Sequence, residues 1–208
     1  MNTWGEKRHS AIFTVAEMAA LGMGVEKSAF TNRMQGGAHL LAPTGSDLEK
    51  NDVGAVFAGF HYDISFMTIH GKSRYPGLYV WTRDWKKKAV KIPEGCLLLQ
   101  SGLSFQHITG GYVLAGYHEV VYSQGTKDAF LRRQANPRPN QPSTQWRVSS
   151  TMFTHFRNDV DVSPMPELSH LYTPEEARKY PRMTAFEILM QELSATGMTF
   201  DQNATNSE

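Results

Sequence analysis

The chain has 208 residues, which is long enough for one domain with a substantial hydrophobic core and too short to expect two. Its formal net charge of +1 at pH 7 gives no reason to expect nucleic acid or a membrane surface as a partner. The single cysteine, Cys96, excludes an internal disulfide, and no apolar run approaches the roughly 18 residues of a membrane span. We therefore expect a cytoplasmic protein in which Cys96, within an apolar run, is a buried structural thiol.

The amino-terminal part of the chain has the pattern of one amphipathic helix over residues 10–24. Ser10 can cap its start, apolar residues follow with a helical period, and Gly22 and Gly24 end it. From Gly37 onward the chain consists of short β-rich runs, and we expect strands at 38–42, 55–61, 64–70, 77–81, 89–92, 96–100, 112–121 and 146–156. Regularly spaced short strands favour a sandwich, barrel or jelly roll over a doubly wound sheet.

The carboxyl-terminal part begins with a polar, proline-rich loop at residues 134–145, which cannot supply core. Further on, Thr173 precedes Pro174 and Glu176 in the pattern of a helix start with a capping box. A second helix is expected at about 184–194, with Phe186, Leu189, Met190 and Leu193 on one face. The tail at 200–208 is expected to be disordered.

A possible metal site is centred on His61 and Asp63. Residues i and i+2 of an extended strand point to the same face, so these two side chains can bind one cation. His118 follows Asp63 after 54 intervening residues, in another predicted strand. Two imidazoles and one carboxylate are the usual protein ligands of non-haem Fe(II). Spacing alone leaves this a hypothesis, because a His-x-Asp pair is common by chance.

The other six histidines have no partner at a useful spacing, and a surface or core role is expected for each. They are His9, His39, His70, His107, His155 and His170, of which His107 is expected in a strand.

A second pattern is Arg147-Val148-Ser149. On one face of a strand, the guanidinium and the hydroxyl can bind a carboxylate together. An ordinary strand with a surface arginine is equally compatible with this pattern.

Taken in order, these motifs resemble the isopenicillin N synthase-like branch of the Fe(II)/2-oxoglutarate-dependent dioxygenases. The similarity covers residues 10–157. The matching features are the His61-Tyr62-Asp63 segment followed by an apolar strand with Thr68, the Pro76-Gly77-Leu78-Tyr79-Val80 strand, the Pro93–Gly95 turn followed by a strand and Gly102, Gly111 before His118, and Arg147 with Ser149 and Phe153.

The resemblance implies a mainly β fold with flanking helices, namely a double-stranded β-helix or jelly roll. We expect a single domain over residues 1–208. It would comprise a helical lead-in at 1–36, a jelly-roll core at 37–157, carboxyl-terminal helices at 158–199 and the disordered tail at 200–208.

By the same resemblance, His61, Asp63 and His118 would hold Fe(II) as the catalytic centre, and Arg147 and Ser149 would bind 2-oxoglutarate as co-substrate. Dioxygen would be consumed, and a small organic substrate would undergo hydroxylation, desaturation or ring closure. The substrate's identity and the oligomeric state cannot be read from the sequence.

Three departures from the family pattern leave alternatives open. The chain begins near the family's central helix, so it is either a minimal member or a catalytic fragment. Leu40-Leu41-Ala42-Pro43 stands where the family often has Asn-Tyr-Tyr-Pro, so the tyrosine hydroxyl that helps hold the co-substrate is missing. An insertion, with a short helix around 127–133, extends the segment between His118 and Arg147 to 28 residues.

The alternatives are a 2-oxoglutarate-independent non-haem iron oxidase of the same fold, and a non-catalytic jelly-roll binding module.

Overall fold

The computed structural model describes residues 2–137, 139 and 143–197. These residues form mainly antiparallel β-sheet with flanking helices. The strands are β1 (Leu40–Asp47), β2 (Val56–His61), β3 (Met67–His70), β4 (Leu78–Trp81), β5 (Lys87–Ala89), β6 (Leu98–Ser101), β7 (His118–Val121) and β8 (Trp146–Thr154). The helices are α1 (Asn2–Gly22), α2 (Thr31–Met34), α3 (Leu103–Ile108), α4 (Gln124–Ala135), α5 (Pro174–Ala177) and α6 (Ala185–Ala195).

The strands form two four-stranded sheets. The first has the order β1-β8-β3-β6 and the second β2-β7-β4-β5. Every pairing in both sheets is antiparallel, and most neighbours in a sheet are distant in sequence. Residues that are far apart in the sequence are therefore brought side by side.

Strand β8 presents different side chains on its two faces, as the twofold period of a strand requires. Arg147, Ser149, Thr151 and Phe153 line a cavity that residues of both sheets enclose. Trp146, Val148 and Ser150 line a second cavity together with residues of α1. The strand thus separates two pockets of different composition.

The main core lies between the first sheet and the helices. Ile12, Ala16 and Ala20 repeat every four residues along α1 and are fully buried. The Phe66 ring packs against Phe30 and Phe105, with centroid separations of 5.2 and 4.5 Å. This packing anchors the segment that follows Asp63.

Helix α1 begins at Asn2, eight residues earlier than expected, so the assignment of Ser10 as its cap is wrong. Tertiary contacts explain the extension, since the Trp4 indole donates to the Ser150 hydroxyl at 3.1 Å and the Arg8 guanidinium donates to the Ser150 carbonyl. The expected end is nearly right, because the helix ends at Gly22 and Gly24 adopts a φ of +75°.

The segment 102–117 also differs from expectation. His107 lies in helix α3 instead of a strand, and strand structure in the expected run 112–121 starts only at His118. Helix α3 can start at Gly102 because the backbone there lies against the Ser65 carbonyl, where a side chain would clash.

Cys96 is exposed, so its prediction as a buried thiol is wrong. It lies in the turn before β6, and β6 is the edge strand of its sheet. The apolar run that contains Cys96 is therefore covered on one side only, and Leu97 and Leu99 are also exposed.

The helix start expected at Thr173 and the helix expected from about residue 184 are confirmed. Thr173 and Thr184 both form complete capping boxes, at the starts of α5 and α6. Helix α6 buries Ile188, while Phe186 on the expected face is 47% exposed. The helix expected around 127–133 is present as α4.

Part of the expected polar loop at 134–145 and the whole tail at 200–208 lie outside the described residues. In the part of the chain that the structure describes, no helix is both long and apolar enough to cross a membrane.

Candidate metal centre

The structure brings His61, Asp63 and His118 together. One potential ligand atom from each lies within 4.8 Å of the others. The Nε2 atoms of His61 and His118 are each 3.7 Å from Oδ1 of Asp63. Two neighbouring side chains and a third from a distant part of the sequence therefore converge on one point.

Strand pairing positions the two imidazoles. His61 is the last residue of β2, His118 is the first residue of β7, and the two are directly paired in the register of these strands. Asp63 follows two residues after His61, and its carbonyl accepts a hydrogen bond from the Leu103 amide at 2.7 Å. The predicted convergence at a strand edge is thus achieved by a cross-strand pair and one adjacent turn.

Backbone carbonyls orient both rings in the same way. Nδ1–H of His61 donates to the Gly59 carbonyl at 2.6 Å, and Nδ1–H of His118 donates to the Gly116 carbonyl at 3.0 Å. With the proton on Nδ1, the lone pair of each Nε2 is free and points towards Asp63. Such outer hydrogen bonds are what metal-binding histidines ordinarily make.

The electrostatics of the centre favour a bound cation. Asp63 is 6% exposed, and among the described residues its Oδ2 atom is buried without a hydrogen-bond partner. A buried carboxylate oxygen without a partner costs free energy, which a metal ion would offset. Burial lowers the pKa of His118, although the Asp63 carboxylate acts to raise it, and a neutral imidazole is the form that binds a metal. These residues therefore fit a divalent metal.

The centre opens into a cavity of about 490 Å³ between the two sheets. His61 is the most exposed of the three, with 44% of its side chain accessible, whereas the side chains of Asp63 and His118 are 5% accessible. The exposed side of His61 marks the mouth of the cavity. Arg147 and Ser149 line the same cavity.

The Arg147 side chain is held in the wall of the cavity. It is 5% exposed, and its Nε donates to the Pro76 carbonyl at 3.0 Å. Burial lowers its pKa to about 10, so the guanidinium remains charged at neutral pH. No hydrogen bond from its two terminal nitrogens is found among the described residues, which leaves a planar fork for a carboxylate.

Sequence reasoning missed Thr44. Its hydroxyl is 2.7 Å from the Ser149 hydroxyl, because Thr44 and Ser149 are paired across β1 and β8. Ala42, in the stretch that lacks the family's tyrosine, also lines the cavity. Thr44, two residues after Ala42 on β1, therefore supplies a hydroxyl beside Ser149.

His70 was also missed, because its spacing lies outside the motif. It lines the cavity, and its Nδ1 is 3.2 Å from the Thr151 hydroxyl. Burial lowers its pKa to about 4, while the nearby Asp63 acts in the opposite direction. The residue is neutral at physiological pH and adds a polar group to a wall where an apolar strand was expected.

The aromatic side chains of Phe66, Tyr79, Phe105 and Phe153 lie in three different surroundings. Phe153 lines the cavity, whereas Phe66 and Phe105 belong to the main core. Tyr79 carries the Lys87 ammonium over its ring, at 4.6 Å from the centroid.

Comparison with known proteins gives a likeness in structure only. No protein-family model matches the chain. No curated protein matches it either.

Solved structures, in contrast, match over nearly the whole chain. A full-length Neurospora crassa protein in complex with alpha-KG gives a TM-score of 0.71 at 21% identity, over 94% of this chain and 56% of that protein. The structural neighbours of the chain are 2OG-Fe(II) oxygenases, and the chain has their fold.

Two further structures agree with this assignment of the fold. A Caulobacter crescentus protein described as of the 2OG-Fe(II) oxygenase family gives a TM-score of 0.74 at 24% identity, over 93% of this chain and 58% of that protein. The rice dioxygenase for auxin oxidation gives 0.72 at 20% identity, over 96% of this chain and 60% of that enzyme. The chain thus spans a little over half the length of these solved structures.

Proposed function

We propose that this chain is an Fe(II)- and 2-oxoglutarate-dependent oxygenase that oxidises a small organic substrate. The observation that carries the proposal is the convergence of His61, Asp63 and His118, with both Nε2 atoms turned towards one buried carboxylate. The fold shared with oxygenases that bind alpha-KG or 2-oxoglutarate supports the same conclusion.

In this proposal His61, Asp63 and His118 hold the iron. Fe(II), when bound together with 2-oxoglutarate and dioxygen, supplies the oxidising chemistry. The carbonyls of Gly59 and Gly116 keep both imidazoles in the tautomer that binds a metal. The buried Asp63 carboxylate supplies the negative charge that balances part of the cation's charge.

Arg147 and Ser149 bind the distal carboxylate of 2-oxoglutarate. The terminal nitrogens of Arg147 donate to that carboxylate, while Pro76 keeps the guanidinium plane in place. The hydroxyls of Ser149 and Thr44, on two neighbouring strands, are hydrogen-bonded to each other, so Thr44 donates to Ser149 and leaves the Ser149 proton for the carboxylate. Thr44 thereby supplies a hydroxyl in place of the tyrosine that the family often has, and this supports 2-oxoglutarate over an oxidase that does not use it.

Three finer points belong to the same proposal. The enclosure of one cavity by residues of both sheets supports a double-stranded β-helix within one domain. The single cysteine, Cys96, is a free and exposed thiol, and this supports a cytoplasmic location because thiols stay reduced there. The Neurospora crassa structure with alpha-KG and thymine supports a small-molecule substrate.

The test is anaerobic Fe(II) binding together with succinate release from 2-oxoglutarate. We expect about one Fe(II) per chain, and we expect His61→Ala and Asp63→Ala to lose both iron and succinate formation. His170→Ala is the matched control, because His170 is exposed and, among the described residues, hydrogen-bonds only to the Met23 carbonyl. Full iron binding and turnover in His61→Ala and Asp63→Ala would overturn the proposal.

The same assay separates the alternatives. An oxidase that does not use 2-oxoglutarate would consume oxygen equally with and without it. A non-catalytic binding module would bind no iron, or bind it without oxygen uptake.

A further inference from the structure

The second cavity lies on the opposite face of β8 from the metal centre. It has a volume of about 760 Å³, and α1 and the loop Gly71–Arg74 form part of its wall. The same loop lines the metal cavity, so the two pockets are neighbours.

Arg8 is the unusual residue in this cavity. It projects from α1, lines the cavity and is 1% exposed. Its Nη1 donates to the Ser150 carbonyl, and the guanidinium carbon lies 4.4 Å from the centroid of the Trp4 ring. Its Nε and Nη2 atoms are buried without a hydrogen-bond partner among the described residues.

No carboxylate of the described chain pairs with Arg8. The one acidic residue in the cavity wall, Glu94, is 2.9 Å from Lys72 and is balanced by it. Arg74, also in the wall, makes no hydrogen bond or ion pair with the residues that the structure describes. The cavity therefore has an excess of positive charge, contributed by one buried and one exposed guanidinium.

A buried guanidinium is ordinarily paired with an anion, because two desolvated donors and an uncompensated charge are costly. The rest of the wall is largely apolar, with Trp4, Trp146, Val148 and Leu97. A cavity of this size is larger than a single inorganic ion needs. Its lining instead suits a molecule that combines an apolar body with one carboxylate.

We propose that this cavity is a second ligand site, which binds a small organic carboxylate through Arg8. Gly71 lies against Nη2 and closes this edge of the guanidinium, so the Gly71–Arg74 loop must shift before the carboxylate can accept hydrogen bonds from Nε and Nη2. The apolar body packs against the tryptophan side chains. The site is independent of the proposed iron chemistry and is tested without metal.

The probe is benzoate, with benzyl alcohol as its neutral counterpart at matched ionic strength. We expect benzoate to raise the Tm saturably, by several degrees at roughly 100 times its Kd, since it binds only the folded state. Benzyl alcohol should give no such rise. Arg8→Met should abolish the benzoate effect, and Arg83→Met, at an exposed arginine on the β4–β5 turn, should retain it.

Arg8→Met is expected to fold, because the Ser150 carbonyl also accepts a hydrogen bond from the Gly71 amide at 3.0 Å. If Arg8 served only to fasten α1, Arg8→Met would lower the Tm and benzoate would leave the wild type unchanged. That result, or an equal benzoate effect in both proteins, would overturn the proposal.

A second measurement needs no variant. The chain has four tryptophans, of which Trp4 and Trp146 line this cavity and Trp81 and Trp85 line another. On adding benzoate, the indole N–H signals of Trp4 and Trp146 should shift in NMR spectra while the other two remain in place. Shifts confined to Trp81 and Trp85, or no shifts, would contradict the assignment.

Discussion

At the scale of single residues, the Arg147 guanidinium gives a prediction about co-substrate affinity. Arg147→Gln should raise the KM for 2-oxoglutarate about 10- to 100-fold, because a charged, bidentate contact is lost. Iron binding should be unchanged, since Arg147 is not among the ligands. Arg147→Lys should recover little, because an ammonium cannot both bind Pro76 and present a planar fork. An unchanged KM in Arg147→Gln would assign the carboxylate to another residue.

Of the residues that line the metal cavity, those that belong to a sequence motif could be predicted. His61, Asp63, His118, Arg147 and Ser149 could be named because their motifs occur in a fixed order along the chain. Thr44 and His70 could not, because their inward direction depends on the pairing of β1 and β3 with β8. Local sequence does not determine that register.

The Thr44 and Ser149 hydroxyls should act as a unit. A double-mutant cycle of Thr44→Val and Ser149→Ala, measured by 2-oxoglutarate binding to the iron-loaded protein, should give a coupling energy of about 0.5–1.5 kcal/mol. The 2.7 Å contact between the two hydroxyls is the reason. If the losses of binding free energy in the two single variants simply added up in the double variant, Thr44 would not act through Ser149.

The partly buried His39 predicts how the stability of the fold depends on pH. Burial, together with the nearby His9 and His155, lowers the pKa of His39 to about 4 from an ordinary value of 6.5. The unfolded chain therefore takes up a proton first as the pH falls. His39 should thus remove stability between about pH 6.5 and pH 4, on the order of 1–3 kcal/mol.

This pH effect can be measured by denaturant unfolding across that range. His39→Asn keeps an acceptor for the His155 amide, which donates to His39 Nδ1 at 3.2 Å. This variant should reduce the slope of the unfolding free energy against pH. His170→Asn, at an exposed position, should leave the slope unchanged. An equal slope in all three proteins would mean that His39 titrates normally.

At the scale of elements, the starts of α5 and α6 could be predicted, whereas the start of α1 and the presence of α3 could not. The capping boxes at Thr173 and Thr184 are local, so the sequence contains all of their information. The early start of α1 depends on contacts with β8, and α3 depends on contact between Gly102 and Ser65. These are tertiary effects that local propensity does not include.

Helix α4, in the insertion before Arg147, gives a prediction at this scale. Thr126 completes the capping box of α4, and its hydroxyl also donates to the Pro76 carbonyl at 3.2 Å, the same carbonyl that Arg147 binds. Thr126→Val should therefore lower the free energy of unfolding by about 1 kcal/mol and also weaken 2-oxoglutarate binding.

The control is Thr184→Val, which likewise breaks a capping box, that of α6, by removing its N-cap side chain away from the cavity. It should cost similar stability and leave 2-oxoglutarate binding unchanged. Equal co-substrate affinity in both variants would show that α4 has no part in positioning Arg147.

At the scale of the whole molecule, the regular spacing of short strands predicted a mainly β fold, but the pairing of the strands was not predicted. The sheets bring residue 61 beside residue 118 and residue 44 beside residue 149. The sequence of the long connections between those strands does not indicate which strands pair. Arg8 in the second cavity was not predicted, because only the packing of α1 on β8 shows that its charge is buried without an anion.

The measurement that tests the central claim most directly is anomalous diffraction at the iron edge, from crystals loaded with Fe(II) under anaerobic conditions. We predict one strong peak within coordination distance of Nε2 of His61, Nε2 of His118 and a carboxylate oxygen of Asp63. A peak elsewhere, or none at this centre in fully loaded crystals, would contradict the account.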